Sequence, residues 1–275
     1  MRSGRIVYTN DLPIYAAFDA GAVVFPGDLT ADVPSRLNAM LLEGRLDLSP
    51  ISAFFFAKHA QRFALLPDLC IGSRRDVWSV VCLSRVSLAE LDGAEIAVTR
   101  DSASGRNLLR VLLERRYGVS ATLRESANPF AAALRGEPAL LIGDRAIDAQ
   151  QTFAPEHVHD LGREWHAWTG LDMVYAVWAA RRAVFDSQPA EVARAHEALL
   201  AARRWGAEHP EAVIAAAQRI APRAAGFYAA YYATLNFSFD AQARAGLARY
   251  FAELRAIGAI DGAAPVEPEV LVVHP

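Results

Sequence analysis

Asn10 is the side chain of this sequence best placed to act on a small ligand. It follows the apolar run Arg5–Tyr8, which we interpret as a strand, and it precedes a predicted helix. In an open parallel sheet, ligands bind in the crevice outside such carboxyl ends of strands. An amide placed there can donate and accept hydrogen bonds without carrying a charge. The alternative interpretation is a turn residue that caps the helix.

Three groups of hydroxyl or amide side chains stand at predicted helix N-termini. They are Ser49 with Ser52, Ser102 with Ser104, and Asn128. Helix N-termini expose unpaired N–H groups and the positive end of the helix dipole, so they bind anions. Routine N-capping uses the same residue types, which leaves each group open to either interpretation. All three groups follow the carboxyl ends of predicted strands that run in the same direction. A shared anion-binding pocket is therefore as well supported as separate N-caps.

Other chemistries lack their sequence signatures. The chain has neither a glycine-rich phosphate loop nor a GxSxG nucleophile motif. His157, His159 and His166 have no cysteine or carboxylate cluster that would complete a metal site. Asp144, in the stretch IGDRA, is the best-placed acid, although it could equally hold Arg145 or a backbone turn. We therefore expect no metal and no cofactor.

Composition predicts a globular protein that binds a small molecule. Of the 275 residues, 53% are hydrophobic and 21% are charged, which is enough for a sizeable core and argues against disorder. The net charge of -3, without a long basic run, argues against nucleic acid as the main partner. Cys70 and Cys82 lie in apolar strand-like runs, so we interpret both as reduced and buried.

The sequence also bears on where the protein works. The N-terminal stretch lacks the apolar core of a signal peptide, and no apolar stretch reaches the length of a membrane helix. We expect a cytoplasmic protein that does not enter the membrane.

Strand and helix patterns alternate through the first two thirds of the chain, and helices fill the last third. The predicted strands are Arg5–Tyr8, Ala22–Pro26, Leu46–Ser49, Leu65–Gly72, Val77–Ser84, Glu95–Thr99, Thr122–Glu125, Ala139–Ile142, His157–Leu161 and Val174–Ala179. The predicted helices of the last third are Ala190–Trp205, Pro210–Ile220, Phe227–Leu235 and Ala241–Ile257. This pattern is typical of an α/β fold.

Two predicted strands, Val77–Ser84 and Val174–Ala179, are almost wholly apolar and bracket a compact unit of strands and helices. A lobe inserted into another lobe must be entered and left by two crossings, and we expect these strands to be the crossings and the hinge. The prediction is a two-lobe α/β fold with the ligand cleft between the lobes. Residues 1–84 with 180–275 would form the first lobe, and residues 85–179 the inserted second lobe. Such lobes close around a small ligand.

Several stretches of the chain occur together, in order and with natural spacing. They are RIVYTNDLPIY, VPSRLNAMLLEGRLDLSPISAFFFAKH, LLPDLCIGS, SVVCLSRVSLAELDGAEIAVTRDSASGRNLLRVLLE, ALLIGDRAI and DLGREWHAWTGLDMVYAVWAARR. Together they resemble the chorismate dehydratase family of the futalosine route to menaquinone, over roughly the first two thirds of the chain. The family often has Leu-Asn-Thr where this chain has Thr9-Asn10-Asp11, which places the Asp11 charge near the expected mouth of the pocket.

The resemblance implies a type 2 periplasmic-binding-protein-like fold and the conversion of chorismate, a dianion, to 3-[(1-carboxyvinyl)oxy]benzoate. It implies that Asn10 orients the substrate and stabilises the departing hydroxyl, and that Ser79 binds a carboxylate. The other residues expected to bind substrate are Ser49, Ser52, Thr99, Ser102, Ser104 and Asp144. Because no His or Glu is well placed, we expect the substrate's own side-chain carboxylate to be the base, with Asp144 as the alternative.

Two other functions remain open at this point. A solute-binding protein of the same fold would close on a small carboxylate without chemistry. A cytoplasmic ligand-sensing domain is the third possibility.

Overall fold

The computed structural model describes residues 1–99, 102–262 and 264–269, and its strands form two sheets. In chain order the strands are β1 (Arg2–Ile6), β2 (Asp28–Asp32), β3 (Leu48–Ser52), β4 (Phe63–Ser73), β5 (Val80–Leu83), β6 (Glu95–Val98), β7 (Thr122–Glu125), β8 (Ala139–Ile142), β9 (Val158–Asp160), β10 (Met173–Arg181) and β11 (Leu235–Asn236).

The helices cover both sheets and make up most of the last third of the chain. In chain order they are α1 (Leu12–Asp19), α2 (Pro34–Leu42), α3 (Ala53–Lys58), α4 (Ala103–Val111), α5 (Pro129–Leu134), α6 (Gly143–Gln150), α7 (Leu161–Thr169), α8 (Arg182–Ser187), α9 (Pro189–Glu208), α10 (Pro210–Ile220), α11 (Ala225–Thr234) and α12 (Ala241–Ala256). The four helices predicted for the last third are confirmed as α9 to α12.

The two sheets have related layouts. The first has the strand order β11-β4-β10-β3-β1-β2, and β1 pairs in parallel with both β2 and β3. The second has the order β7-β6-β8-β5-β9, and β6 pairs in parallel with both β7 and β8. Carboxyl ends of neighbouring parallel strands meet at one edge of a sheet, which is where ligands bind in α/β proteins. Each sheet therefore offers such an edge.

The chain crosses twice between the sheets. It leaves the first sheet at Ser73 and enters the second at Val80, and it returns from Asp160 through α7 to Met173. The strands predicted as the hinge each lie inside one sheet, because β5 pairs with β8 and β9 whereas β10 pairs with β3 and β4. Their apolar character comes from burial within those sheets. The division of the chain into lobes at residues 84 and 180 stays a prediction.

Asp160 joins the two crossings at a single buried carboxylate. It accepts hydrogen bonds from the N–H groups of Val77 (3.0 Å) and Trp78 (2.7 Å), which lie on the outgoing crossing. It also accepts from the N–H groups of Gly162 (2.9 Å) and Arg163 (3.0 Å), at the start of α7. Four donors on one carboxylate fix the two crossings relative to each other.

Two local predictions about strands are wrong. Ala22–Pro26 forms no strand; Val24 in that run is 82% exposed, and only Phe25 is buried. The strand lies instead at β2, a polar edge strand without the alternation that predicts one. The strand predicted over Leu46–Ser49 begins later, at Leu48, and continues to Ser52 as β3.

Candidate functional site

A cavity of about 80 Å³ lies between the two sheets, at the ends of β1 and β3 and beside the start of α4. Its described lining is mostly apolar and contains no charged side chain. The polar side chains on its wall are Tyr8, Asn10, Ser52, Ser79, Ser102, Ser104 and Tyr175. An apolar wall with a few convergent polar groups is typical of small-molecule sites. Arg100 and Asp101 lie outside the described residues.

Asn10 lies in the short 3-10 turn Thr9–Asp11, and its side chain lines the cavity. It caps no helix, because the N-cap of α1 is Asp11. Its amide oxygen Oδ1 is buried and has no hydrogen-bond partner among the described residues. An unpaired buried acceptor costs about 1–3 kcal/mol. The unpaired oxygen is therefore available to accept a hydrogen bond from a bound ligand or a water.

Ser79 is the last residue of the outgoing crossing and also lines the cavity. Its hydroxyl donates to the carbonyl of Val77 (3.2 Å), and its own carbonyl accepts from the N–H of Gly143 at the start of α6 (2.8 Å). Gly143 has a φ of +63°, which glycine adopts without strain. The second bond ties Ser79 to the second sheet, so its hydroxyl faces the cavity from a fixed backbone.

The N-terminus of α4 forms the opposite wall. Ser102 is its N-cap residue, but its side chain makes no capping hydrogen bond and lines the cavity instead. Gly105 lies one turn on, and a Cβ there would clash with Ser102 Oγ and lie 3.0 Å from Val80 Cγ1. Glycine at this position therefore makes room for the serine hydroxyl.

Ser104 also lines the cavity, yet its hydroxyl already has two partners. It donates to the carbonyl of Tyr175 on β10 (2.8 Å) and accepts from the N–H of Phe54 on α3 (3.2 Å). Tyr175 lies in the first sheet and Phe54 in the helix that follows β3 of that sheet, whereas α4 follows β6 of the second sheet. The Ser104 hydroxyl therefore joins elements of the two sheets beside the cavity.

Ser52 and Ser49 have different positions although both were expected to bind substrate. Ser52 lines the cavity and caps α3, accepting from the N–H of Phe55 (3.1 Å). Ser49 does not line it; its hydroxyl donates to the carbonyl of Pro50 (2.9 Å) and packs against Gly4. Side chains alternate along a strand, so two residues three positions apart in β3 face opposite sides.

Thr99 and Asp144 line a neighbouring, larger cavity of about 400 Å³ instead of the central one. Asn128 lies there too, and its side chain caps α5, as the N-capping interpretation predicted, accepting from the N–H of Ala131 (3.1 Å). Tyr8 and Ile142 border both cavities, so the two adjoin. Thr99 and Asp144 were expected to share one pocket with Asn10, but they line the adjoining cavity.

Asp144 is held by the first lobe. Its carboxylate accepts from the N–H (3.2 Å) and the hydroxyl (2.7 Å) of Thr9, and it forms an ion pair with Arg223 (3.0 Å). The Thr9 N–H bonds one carboxylate oxygen, Oδ2, while the Thr9 hydroxyl and Arg223 both bond the other, Oδ1. The side chain therefore connects the lobes next to the turn that carries Asn10.

Asp11 does not place a charge at the mouth of the pocket, contrary to expectation. It is 1% exposed and its carboxylate accepts from the N–H of Ile6 (2.7 Å) in the core of the first lobe. Burial raises the pKa of Asp11 to about 8. At neutral pH the group is mainly uncharged, so it does not repel an anion in the cavity.

The described residues contain neither a metal-binding cluster nor a helix that could span a membrane. No group of three or more His, Cys, Asp or Glu side chains in that part of the chain is arranged to hold a metal ion. None of the described helices combines the length and apolar character that a membrane crossing requires.

The sequence matches a protein family over almost its whole length. The family is described as menaquinone biosynthesis, and the match covers residues 1–256. The chain belongs to the menaquinone biosynthesis family. A relative in Thermus thermophilus, named chorismate dehydratase, is 37% identical over 166 residues, which are 54% of this chain and 60% of that protein.

Solved structures show which fold this member of the menaquinone biosynthesis family has. A protein from Archaeoglobus fulgidus superposes with a TM-score of 0.76 at 18% identity, over 94% of this chain and 98% of that one. The alkanesulfonate-binding protein from Xanthomonas axonopodis pv. citri, bound to MOPS, superposes with a TM-score of 0.69 at 15% identity, over 95% and 94%. The predicted two-lobe, periplasmic-binding-protein-like α/β fold is confirmed.

Sequence reasoning missed several residues of the site in this family member. Tyr8 lines the cavity two positions before Asn10, and its place at the end of the predicted strand Arg5–Tyr8 could have indicated it. Gly105 could have been found from its position after Ser104 at a helix start. Nothing in the sequence pattern points to Arg223, which is 79 positions from its partner Asp144.

Proposed function

We propose that this chain removes water from chorismate to give 3-[(1-carboxyvinyl)oxy]benzoate, as a step of menaquinone biosynthesis in the cytoplasm. The family match and the name of the Thermus thermophilus relative support the proposal. The observation that carries it is the buried, unpaired amide oxygen of Asn10 on the wall of the central cavity. The substrate's ring hydroxyl, which is the group that leaves, supplies the missing donor.

The described wall of the cavity offers a dianion hydrogen-bond donors and contains no charged side chain. Ser79 and Ser102 offer hydroxyl donors, and the first turn of α4 offers backbone N–H groups. Ser79 would turn from the carbonyl of Val77 to donate to a carboxylate. Hydrogen bonds to charged groups are stronger than neutral ones, and they strengthen further in an apolar cavity.

The reaction breaks two bonds on adjacent ring carbons. The C–H bond breaks at the carbon that bears the enolpyruvyl ether, and its electron pair becomes the third double bond of the ring. The C–O bond breaks at the neighbouring carbon, and the departing hydroxide leaves as water after taking up the proton. The Asn10 amide oxygen accepts from the hydroxyl and holds it in line, and the amide N–H of the same side chain donates to the oxygen as negative charge develops there. The ring becomes aromatic, which makes the overall step strongly favourable.

The substrate's side-chain carboxylate is the base that fits this cavity. The described lining contains no His, Glu, Asp or Lys side chain. Asp144, the protein's alternative base, borders the adjoining cavity and is bound by Thr9 and Arg223. A base must lie within hydrogen-bond reach of the proton that it takes. The enolpyruvyl carboxylate is tethered to the reacting carbon through the ether oxygen, so it meets that requirement.

The test of the reaction is to mix purified protein with chorismate and to record the ultraviolet spectrum. We expect loss of the chorismate absorbance and formation of an aromatic enol ether, identified by mass spectrometry and proton NMR. Saturable binding without a spectral change would contradict the proposal and identify a solute-binding protein.

The test of the base is the Asp144→Asn variant, measured for both binding and turnover. We expect reduced but measurable turnover, because the substrate keeps its own carboxylate. Complete loss of turnover with chorismate binding intact would instead identify Asp144 as the base.

A further inference from the structure

Arg223 places a buried guanidinium between α10 and α11, facing the second lobe. Its side chain is 8% exposed. It bonds the carboxylate of Asp144 (3.0 Å) and the carboxylate of Asp148, and it also donates to the carbonyl of Asp144 (3.3 Å). Both acidic residues belong to α6, which follows the last parallel strand of the second sheet. The ion pairs of Arg223 therefore run from one lobe to the other.

Within the first lobe, Arg223 has weaker contacts. It donates to the hydroxyl of Tyr228 (3.0 Å), and its guanidinium carbon lies 5.6 Å and 5.9 Å from the ring centres of Phe227 and Tyr228. If the lobes separated, the guanidinium would lose both carboxylates and keep these contacts alone. A buried cation is stable only while it is paired. The arrangement consequently favours the state in which α6 lies against the first lobe.

The same carboxylate fixes the turn that carries Asn10. Thr9 donates to Asp144 from its N–H and its hydroxyl, while the hydroxyl of Tyr232 on α11 donates to the carbonyl of Thr9 (2.9 Å). The peptide unit next to Asn10 is thus held from both lobes. Asn10 itself has no side-chain bond that would set the position of its amide oxygen among the described residues.

We propose that Arg223, Asp144, Asp148 and Thr9 form a lobe latch in which Arg223 is a positioning residue. The latch closes the cleft and fixes the Thr9–Asn10 peptide, so that the Asn10 amide lies on the cavity wall. Arg223 contacts neither the cavity nor the reacting atoms, since it is absent from the described cavity lining. The role in positioning Asn10 rests on the proposed function, whereas the role in closure does not.

The test compares Arg223→Met with Arg223→Lys, and uses Arg182→Met as the matched control. Arg182 pairs with Glu269 (2.6 Å) and bonds the carbonyl of Phe63 in the first lobe, away from the cleft. Small-angle X-ray scattering reads lobe closure without any need for catalysis. We expect a larger radius of gyration for Arg223→Met than for the parent or the control, and an intermediate value for Arg223→Lys.

Kinetics then test the positioning role. We expect Arg223→Met to lower kcat by about tenfold to a hundredfold, because small misplacements of a catalytic group have effects of that size. Arg223→Lys should recover part of the loss, since an ammonium can pair with one of the two carboxylates. The double variant Arg223→Met, Asp144→Asn should be no slower than the slower single variant, because residues of one network are not additive.

Several results would overturn the latch. They are an unchanged radius of gyration in Arg223→Met, an unchanged kcat, or additive losses in the double variant. If Arg223→Met does not fold, as judged by circular dichroism, the radius of gyration and kcat of Arg223→Lys and Asp144→Asn are compared with those of the parent instead. If the parent protein does not convert chorismate, the proposed function fails while the scattering result still decides whether the latch closes the lobes.

Discussion

Thr9 donates two hydrogen bonds to the carboxylate of Asp144, from its N–H at 3.2 Å and from its hydroxyl at 2.7 Å. Thr9 follows β1 of the first sheet, and Asp144 lies in the first turn of α6 after β8 of the second. The two carboxyl-end edges of the sheets are therefore joined next to Asn10. This contact gives Asp144 a structural partner on the far side of the cleft, which accounts for its position outside the central cavity.

Ser79→Ala tests whether the hydroxyl on the outgoing crossing binds a substrate carboxylate. We expect KM for chorismate to rise by about tenfold or more, since a hydrogen bond to a charged group is worth about 1.5–3 kcal/mol. Steady-state kinetics measure this. Ser187→Ala is the control, because that hydroxyl bonds the carbonyl of Ala183 within α8 and is exposed. Equal KM values for Ser79→Ala and the parent would remove Ser79 from the site.

Gly105→Ala tests the close approach between α4 and the cavity wall. The new Cβ would clash with Ser102 Oγ and press on Val80, so the serine hydroxyl must move. We expect chorismate binding, followed by isothermal titration calorimetry, to weaken by about tenfold or more. Gly226→Ala in α11 is the matched control, because a Cβ there has no neighbour within 4 Å. Equal binding in both variants would show that Ser102 does not contact the ligand.

Asp11→Asn tests the buried carboxyl beneath Asn10. The pKa of Asp11 is raised by burial from 3.8 to about 8, so the folded state binds the proton more tightly than the unfolded state does. Its contribution to stability is present in full below pH 4 and is lost as the pH rises to about 8. Asparagine mimics the protonated carboxyl and removes this dependence.

We therefore expect Asp11→Asn to gain stability relative to the parent as the pH rises from 4 to 8, by at most about 1.4 kcal/mol per pH unit. Urea unfolding at a series of pH values measures the difference. A constant difference across this range would mean that Asp11 is ionised in the folded protein and that its burial is compensated.

The reactivity of the two cysteine thiols tests whether the interior of each sheet is tightly packed. Cys70 and Cys82 are buried and free, as expected from their apolar surroundings. Burial raises the pKa of Cys82 to about 12 and raises the pKa of Cys70 as well. Because the thiolate is the reactive form, we expect neither thiol to react with a disulfide reagent at pH 8 until the protein is denatured. Reaction of the folded protein would contradict this packing.

Much of the fold could be predicted from the sequence because hydrophobic periodicity is local. The last four helices and the strands Thr122–Glu125 and Ala139–Ile142 have the predicted bounds or nearly so. The edge strand β2 escaped prediction because it is half exposed on a polar sequence. An edge strand is specified by its pairing with β1, which the local pattern does not contain.

From the local pattern, the site was predictable only where a strand or helix end fixes the direction of a side chain. Asn10 and Ser102 line the cavity as expected from such ends, whereas Ser79, which also lines it, was expected from the family resemblance. Ser49 does not line the cavity. The sequence LSPIS continues as a strand through Pro50, and the alternation of side chains places Ser49 on the face opposite to Ser52. Arg223 was missed because its function depends on an ion pair between distant parts of the chain, which only the packing of the lobes creates.

The most direct test of the proposed function is the turnover of chorismate by the Asn10→Ala variant, followed by loss of chorismate absorbance and by the amount of aromatic product. We expect kcat to fall by about a hundredfold or more, the size of effect found when a group that stabilises developing charge is removed. Gln242→Ala, which removes an exposed amide from α12, should retain the parent rate. Turnover by Asn10→Ala near the parent rate would contradict the role assigned to Asn10.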